Sequence, residues 1–187
     1  NITLGGTGKT PLTIALAEHM KEKGEKVAVL TRGYGNDESA LLKERLSGIP
    51  VLIGRDRVKS AIKARSELGS NCVILDDGFQ HRGIKRDLDI VLIDTTSPFR
   101  RLRIFPRGIL REPLERLKDA DIAVLTKSDM GHDSISDIRR ELKGINDKIS
   151  IAESFYQAAG LNKLFSEETK PLADVAGKRV TLLAGIA

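Results

Sequence analysis

Short apolar runs recur along the chain, each followed by a polar or glycine-rich turn and then by a stretch with helical spacing. The runs are Ile2 to Leu4, Val27 to Leu30, Val51 to Ile53, Cys72 to Leu75, Ile90 to Ile93, Ile122 to Leu125 and Val180 to Leu183. They are rich in Val, Ile and Leu and mostly do not alternate with polar residues, the pattern of strands buried on both faces. Helices are predicted over 39–46, 57–68, 112–118 and 134–143. A further helix starts at Thr10 or Pro11, carries Leu12, Ala15, Leu16 and Met20 on one face, and stops at Gly24. Such alternation predicts an α/β fold with a largely parallel sheet and helices on both faces.

Ligands of such sheets sit at the carboxyl ends of the strands. The polar motifs follow the runs there: GGTGKT after the first, TRGYG after the second, DDGFQH after Leu75, DTT after Ile93 and TKSD after Leu125. They are expected along one edge. At 187 residues the chain suits one domain with a sizeable core, 1–187.

Composition narrows the function classes. Aromatics make up 4% and Trp is absent, which argues against a stacking surface for single-stranded nucleic acid. The lone Cys72 cannot form an internal disulfide and suits a reducing compartment. No signal peptide and no long apolar run occur within these residues. The net charge of +5 is local: residues 97–118 hold six Arg and one Lys against two Glu. There Arg100, Arg101, Arg103, Arg107 and Arg111 interleave with Phe99, Leu102, Ile104, Phe105, Ile109 and Leu110. That mixture suits an anionic membrane surface or an amphiphilic acidic substrate; a solvated loop is the plainer alternative. No nucleic-acid partner is expected.

The motifs supply the chemistry. In Gly5-Gly6-Thr7-Gly8-Lys9-Thr10, glycines let backbone N–H groups approach phosphate oxygens, and the helix N-terminus adds its dipole. Lys9 would reach the β/γ-phosphates and Thr10 would bind Mg²⁺, although Thr3 stands where the P-loop pattern has its first glycine. An apolar strand ending in Asp76 and Asp77 is what a Mg²⁺-supporting carboxylate looks like, and equally could be a turn. Gln80 and His81 add polar groups at the same edge. Asn36 or Asp37 could cap the helix that follows; alternatively Asp37 is a base for an acceptor hydroxyl. Thr126-Lys127-Ser128-Asp129 is close to the base-reading element of GTP-binding proteins, and Lys127 could pack its stem on any purine. A P-loop GTPase or ATPase of the metal-insertion or partitioning type is therefore one reading, and a nucleotide-binding module without catalysis another.

GGTGKTP, TRGYG, NDES, GRDR at 54–57, DDGFQHRGIKRDLDIVLID and FPRGILREPL, in this order, together resemble the tetraacyldisaccharide 4′-kinase family of lipid A biosynthesis. The resemblance implies a P-loop NTPase-like kinase core that uses ATP and Mg²⁺. It would phosphorylate the 4′-hydroxyl of a tetraacylated disaccharide 1-phosphate, giving lipid IVA. It implies a monotopic, monomeric enzyme at the cytoplasmic face of the bacterial inner membrane. It matches Gly6, Thr7, Gly8, Lys9 and Thr10 to the ATP loop and Asp37, in its acidic pair with Glu38, to the catalytic acid. Asp76, Asp77, Gln80 and His81 match residues around metal and phosphates. Arg57, Arg111 and Glu112 match further polar positions, and Arg103 and Arg107 are candidates for the acidic substrate. The resemblance further implies a longer connection than Gly35–Asn36, a hydrophobic helix before these residues, and a histidine partner of Asp37 beyond them.

Overall fold

The structure, a computed structural model, describes residues 2–3, 5–33, 36–96, 103–162 and 168–181, with the side chains of 36–38 and 132–134 outside the description. The order of elements is α1 (Lys9–Glu22), β1 (Val27–Thr31), α2 (Asn36–Arg45), β2 (Val51–Ile53), α3 (Arg57–Ser66), β3 (Cys72–Leu75) and β4 (Ile90–Asp94). A 3-10 helix (Leu114–Asp119), β5 (Ile122–Thr126), α4 (His132–Ile145) and β6 (Ser150–Glu153) follow. A small antiparallel pair, β7 (Leu161–Asn162) and β8 (Thr169–Lys170), precedes a last 3-10 turn, Leu172–Val175.

Two three-stranded parallel layers result, in the orders β2-β1-β3 and β4-β5-β6. In the first, Val29 is level with Val51 on one side and Ile74 on the other. Parallel neighbours cannot be joined by tight hairpins, so each connection crosses over through intervening structure. β1 is buried along its whole length. Val27 and Val29 pack with Ala17 of α1 and with Leu42 and Leu46 at α2. Ala28 and Leu30, which alternate with them, are fully buried, and α3 with its buried Ala64 packs on the same strand. In the second layer, Val91, Ile93, Ala123 and Leu125 form a core with Ile138 and Leu142 of α4 and with Leu117.

Between the layers lies a cavity of about 1180 Å³. Val73 and Leu75 of β3 line one wall, Ile90 and Leu92 of β4 the other, and Leu12 and Leu16 of α1 close a side. Neither β3 nor β4 has a second strand partner among the described residues. α1 packs on the first layer, lines this cavity, and delivers the glycine-rich loop to the seam.

Over its described residues, 2 and 3, the expected strand Ile2 to Leu4 is not formed. Ile2 is buried in the second core, Thr3 makes one isolated bridge to Leu110, and residue 4 lies outside the described residues. Residues 180–181 of the last expected strand are not strand, Val180 being 65% exposed, and 182–183 lie outside the described residues. The helix expected over 112–118 is a 3-10 helix that begins only after Pro113, whose ring disfavours helical backbone at Glu112. The helix expected from 39 begins at Asn36, so Asn36 and Asp37 lie inside its first turn and neither caps Ser39.

Candidate nucleotide and phosphate site

The glycine-rich loop turns sharply on itself. Thr7 N–H donates to the Gly5 carbonyl at 3.0 Å, and Gly5 and Gly8 take φ of 103° and 88°. A side chain at Gly8 would be barred twice: by that left-handed backbone, and because its Cβ would lie 2.7 Å from the Tyr156 hydroxyl. Gly8 caps α1 with no side-chain hydrogen bond, and the first turn holds no acid. The N-terminus of α1, with its dipole, is the kind of position that attracts an anion. Lys9 opens the helix and lies 3.5 Å from the Gly5 carbonyl.

Asp76 follows β3 directly and is buried, at 4% exposure. Its carboxylate accepts from Thr13 Oγ1 at 3.2 Å and Thr31 Oγ1 at 3.5 Å, tying α1, β1 and β3 to one group. Burial, reinforced by the like charge of Asp77, pushes its pKa up against the Thr13 hydrogen bond and the charges of Lys9 and Arg57. Asp77 sits in a left-handed turn at φ 52°. Burial would raise its pKa too, but Arg111 Nη1 donates to Oδ2 at 2.6 Å and, with the charge of Lys9, holds the carboxyl below its ordinary range. Adjacent acids are thereby pushed in opposite directions, a frequent mark of functional sites.

Arg57 opens α3 and is 4% exposed, close enough for its charge to act on Asp76. The α3 cap is Asp56, which accepts from Lys59 N–H at 3.0 Å. His81 is set by a turn in which its N–H donates to the Gly78 carbonyl at 2.9 Å, and its carbonyl accepts from Arg86. Its Nδ1 is buried without a hydrogen-bond partner among the described residues. Gln80 lies in the same turn, half-buried.

The structure therefore brings Lys9, Asp76, Asp77, Arg57 and Arg111 together at the carboxyl end of β3. Other candidates have other partners or positions. Thr10 lies in the first turn of α1, but the hydroxyl that meets Asp76 is that of Thr13. Glu112 accepts from Arg116 Nε at 3.1 Å, and Arg116 lies over the Phe79 ring, 5.9 Å from its centroid. Arg103 and Arg107 are exposed in a loop closed by Phe105 N–H to Leu110 C=O and Leu110 N–H to Arg103 C=O, both 2.9 Å. Lys127 donates to Asp94 at 2.6 Å, while Thr95 Oγ1 donates to the Lys127 carbonyl at 2.8 Å. Burial acts to raise the Asp94 pKa, and the Lys127 and Thr96 hydrogen bonds outweigh it, leaving the carboxyl low. Asp37 and Glu38 occupy the second and third positions of α2; their side chains lie outside the described residues. Arg100 and Arg101 do as well.

Sequence reasoning named Thr31 only within the TRGYG motif and assigned no role to Thr13 or Tyr156. Thr13 stands three residues after Thr10 on the same helix face, but its contact with Asp76, like those of Thr31 and Tyr156, joins residues far apart in the chain.

A family model described as tetraacyldisaccharide-1-P 4′-kinase matches residues 1–187. Among relatives, the tetraacyldisaccharide 4′-kinase of Desulfatibacillum aliphaticivorans is 41% identical over 154 residues, covering 70% of this chain and 42% of that protein. The tetraacyldisaccharide 4′-kinase of Anaeromyxobacter dehalogenans (strain 2CP-1) is 35% identical over 209 positions, covering 100% of this chain and 55% of that protein. The chain thus spans about half the length of the curated relatives it matches. An alignment of 209 positions for 187 residues also means that this relative has extra residues inside the matched span. Among solved structures, the hydrogenase maturation factor HypB of Archaeoglobus fulgidus superposes with a TM-score of 0.58 at 12% identity, over 80% of this chain and 76% of that one. At that identity the likeness shows the α/β fold alone.

Proposed function

Because the chain belongs to the tetraacyldisaccharide-1-P 4′-kinase family, we propose that it carries out transfer of the γ-phosphoryl group of ATP to the 4′-hydroxyl of an acylated glucosamine disaccharide 1-phosphate. The observation that carries this reading is the convergence of Lys9, Arg57 and Arg111 with the Asp76–Asp77 pair beside the glycine-rich loop. Phosphoryl transfer asks a protein for positioning and charge neutralisation more than for covalent help.

The loop from Gly5 to Thr10 and the N-terminus of α1 cradle the phosphates. Lys9, placed between the loop carbonyl of Gly5 and the two acids, meets the charge on the β/γ-phosphates. The residues also fit Mg²⁺: Asp76 and Asp77 offer an adjacent acid pair at the end of β3. That suits a cation that keeps several waters and shares its shell with phosphate oxygens. A cation would stabilise the ionised form that burial disfavours at Asp76. Thr10, Asp76 and Asp77 would hold it, and when bound it would neutralise charge on the phosphate oxygens.

Asp37 follows β1 at the same edge of the sheet and is assigned the role of base. As the 4′-oxygen bonds to the γ-phosphorus and the bond to ADP breaks, the hydroxyl proton passes to its carboxylate. His81, with its buried Nδ1, and Gln80 sit beside the acid pair to orient the phosphates. Arg103 and Arg107, next to exposed Ile104 and Phe105, face the anionic, acylated substrate or the anionic membrane surface that holds it. Among the described residues no helix is long and apolar enough to cross a membrane.

The test is transfer of label from γ-labelled ATP to the acylated disaccharide 1-phosphate in detergent by the full-length protein. The expected result is a labelled lipid, with ATP preferred to GTP and transfer lost in Asp37→Ala while nucleotide binding persists. Nucleotide hydrolysis without labelled lipid would overturn the reading.

A further inference from the structure

The chain leaving β6 carries two neighbouring aromatics, Phe155 and Tyr156, 62% and 59% exposed. Aromatic rings bury large areas when they have somewhere to go. Two held in water at the ligand edge of a parallel sheet call for an explanation.

Their position is fixed by hydrogen bonds. Ser154 N–H donates to the Leu125 carbonyl at 2.8 Å, and the Ser154 carbonyl accepts from Ser128 N–H at 3.1 Å and Ser128 Oγ at 3.2 Å. The exit of β6 is thereby stitched to the loop after β5. Two residues on, the Tyr156 hydroxyl reaches the phosphate loop, 2.7 Å from the point a Cβ on Gly8 would occupy. Leu92 and Thr126 side chains approach the same point, at 3.7 and 3.8 Å. Lys127, in the loop to which Ser154 is stitched, has its ammonium held by Asp94 at 2.6 Å, which restrains its alkyl stem.

We propose that Tyr156 is the seat of the purine base: its exposed ring stacks the base while its hydroxyl rests against the phosphate loop at Gly8. A nucleotide anchored by its phosphates on residues 5–10 would extend away from the loop along this ring. A flat aromatic face matches a purine, whose π-surface needs no particular hydrogen-bonding partner to stack. Tyr156 then determines why the loop takes a nucleotide in preference to a bare polyphosphate. The inference rests on the ATP reading of the site and names the residue that holds the base.

The experiment is equilibrium binding by calorimetry of ATP and of inorganic tripolyphosphate, a probe with phosphates and no base, to the full-length protein. Tyr156→Ala is expected to weaken ATP binding about ten- to a hundredfold, the range of one lost base stack. Tripolyphosphate binding should stay unchanged, which also reports that the variant is folded. Tyr156→Phe, which keeps the ring, should bind ATP nearly as wild type does. Unchanged ATP binding in Tyr156→Ala, or equal loss of both probes, overturns the inference while leaving the kinase reading intact. Wild-type protein that binds neither probe overturns the ATP reading, and this inference with it.

Discussion

Arginines stand in two regions of this molecule and do different work in each. Around the end of β3, Arg57 and Arg111 are buried or half-buried, and Arg111 is locked onto Asp77 at 2.6 Å. In the loop from Arg103 to Leu110, Arg103 and Arg107 are exposed and lie beside Phe105 and Ile104, which are 65% and 47% exposed. The regions adjoin, because Arg111 N–H donates to the Ile2 carbonyl at 2.7 Å directly after Leu110 bridges Thr3. In the first, low dielectric and fixed partners make each charge count, which suits a small, dense anion. In the second, solvent and salt screen each charge, so the loop gains affinity only against a surface that is both anionic and apolar.

The largest expected break falls in the buried region. Lys9→Ala should lower the rate of phosphoryl transfer by about a hundred- to a thousandfold, the range for losing one positioned group at a developing charge. Lipid binding measured in vesicle pull-downs should be unaffected. Arg111→Ala leaves a half-buried carboxylate without its guanidinium and should cost about 1–3 kcal/mol in denaturant unfolding. Asp77→Asn in the same background should recover part of that loss, because the unpaired charge goes with it.

The exposed region should respond more weakly and in another measurement. Arg103→Gln with Arg107→Gln should weaken binding to anionic vesicles by about 1 kcal/mol per residue, an effect that fades in high salt. ATP binding should not change. If it falls instead, the two regions are not separable. The smallest effect is expected at Lys127→Met, about 0.5–1 kcal/mol of stability for a partly exposed pair. Since the folded Asp94 pKa lies low, the stabilisation from this pair is present at neutral pH and is lost only as pH falls through the acid end of the carboxylate range. Urea unfolding of wild type and variant should therefore converge in acid and diverge toward neutrality.

How much of this the sequence discloses follows the range of the interactions. β1 to β5 were legible because their runs are rich in Val, Ile and Leu; β1, β4 and β5 are buried along most of their length, while β2 and β3 are only partly covered. β6, Ser150–Glu153, was not, since it carries Ser150 and Glu153 and keeps most of its residues exposed. Ile2 to Leu4 has the composition of a strand, but its described residues, 2 and 3, make one isolated bridge, which composition does not disclose. At the site, contiguous motifs such as Gly5 to Thr10 and Asp76-Asp77 could be read directly. Thr13 and Thr31 closing on Asp76 could not, because the contact with Thr13 spans 63 residues of chain and that with Thr31 spans 45. The role proposed for Asp37 rests on the family resemblance, because its spacing alone also fitted a helix cap and its side chain lies outside the described residues.

The central claim is that the buried corner hands a phosphate to a hydroxyl of the lipid that the exposed loop meets. Phosphorus NMR of the lipid recovered after reaction with ATP tests it most directly. The account predicts a second phosphomonoester on the disaccharide, coupled to the proton at its 4′-carbon. Lipid that still carries its single 1-phosphate after ATP has been consumed would contradict it.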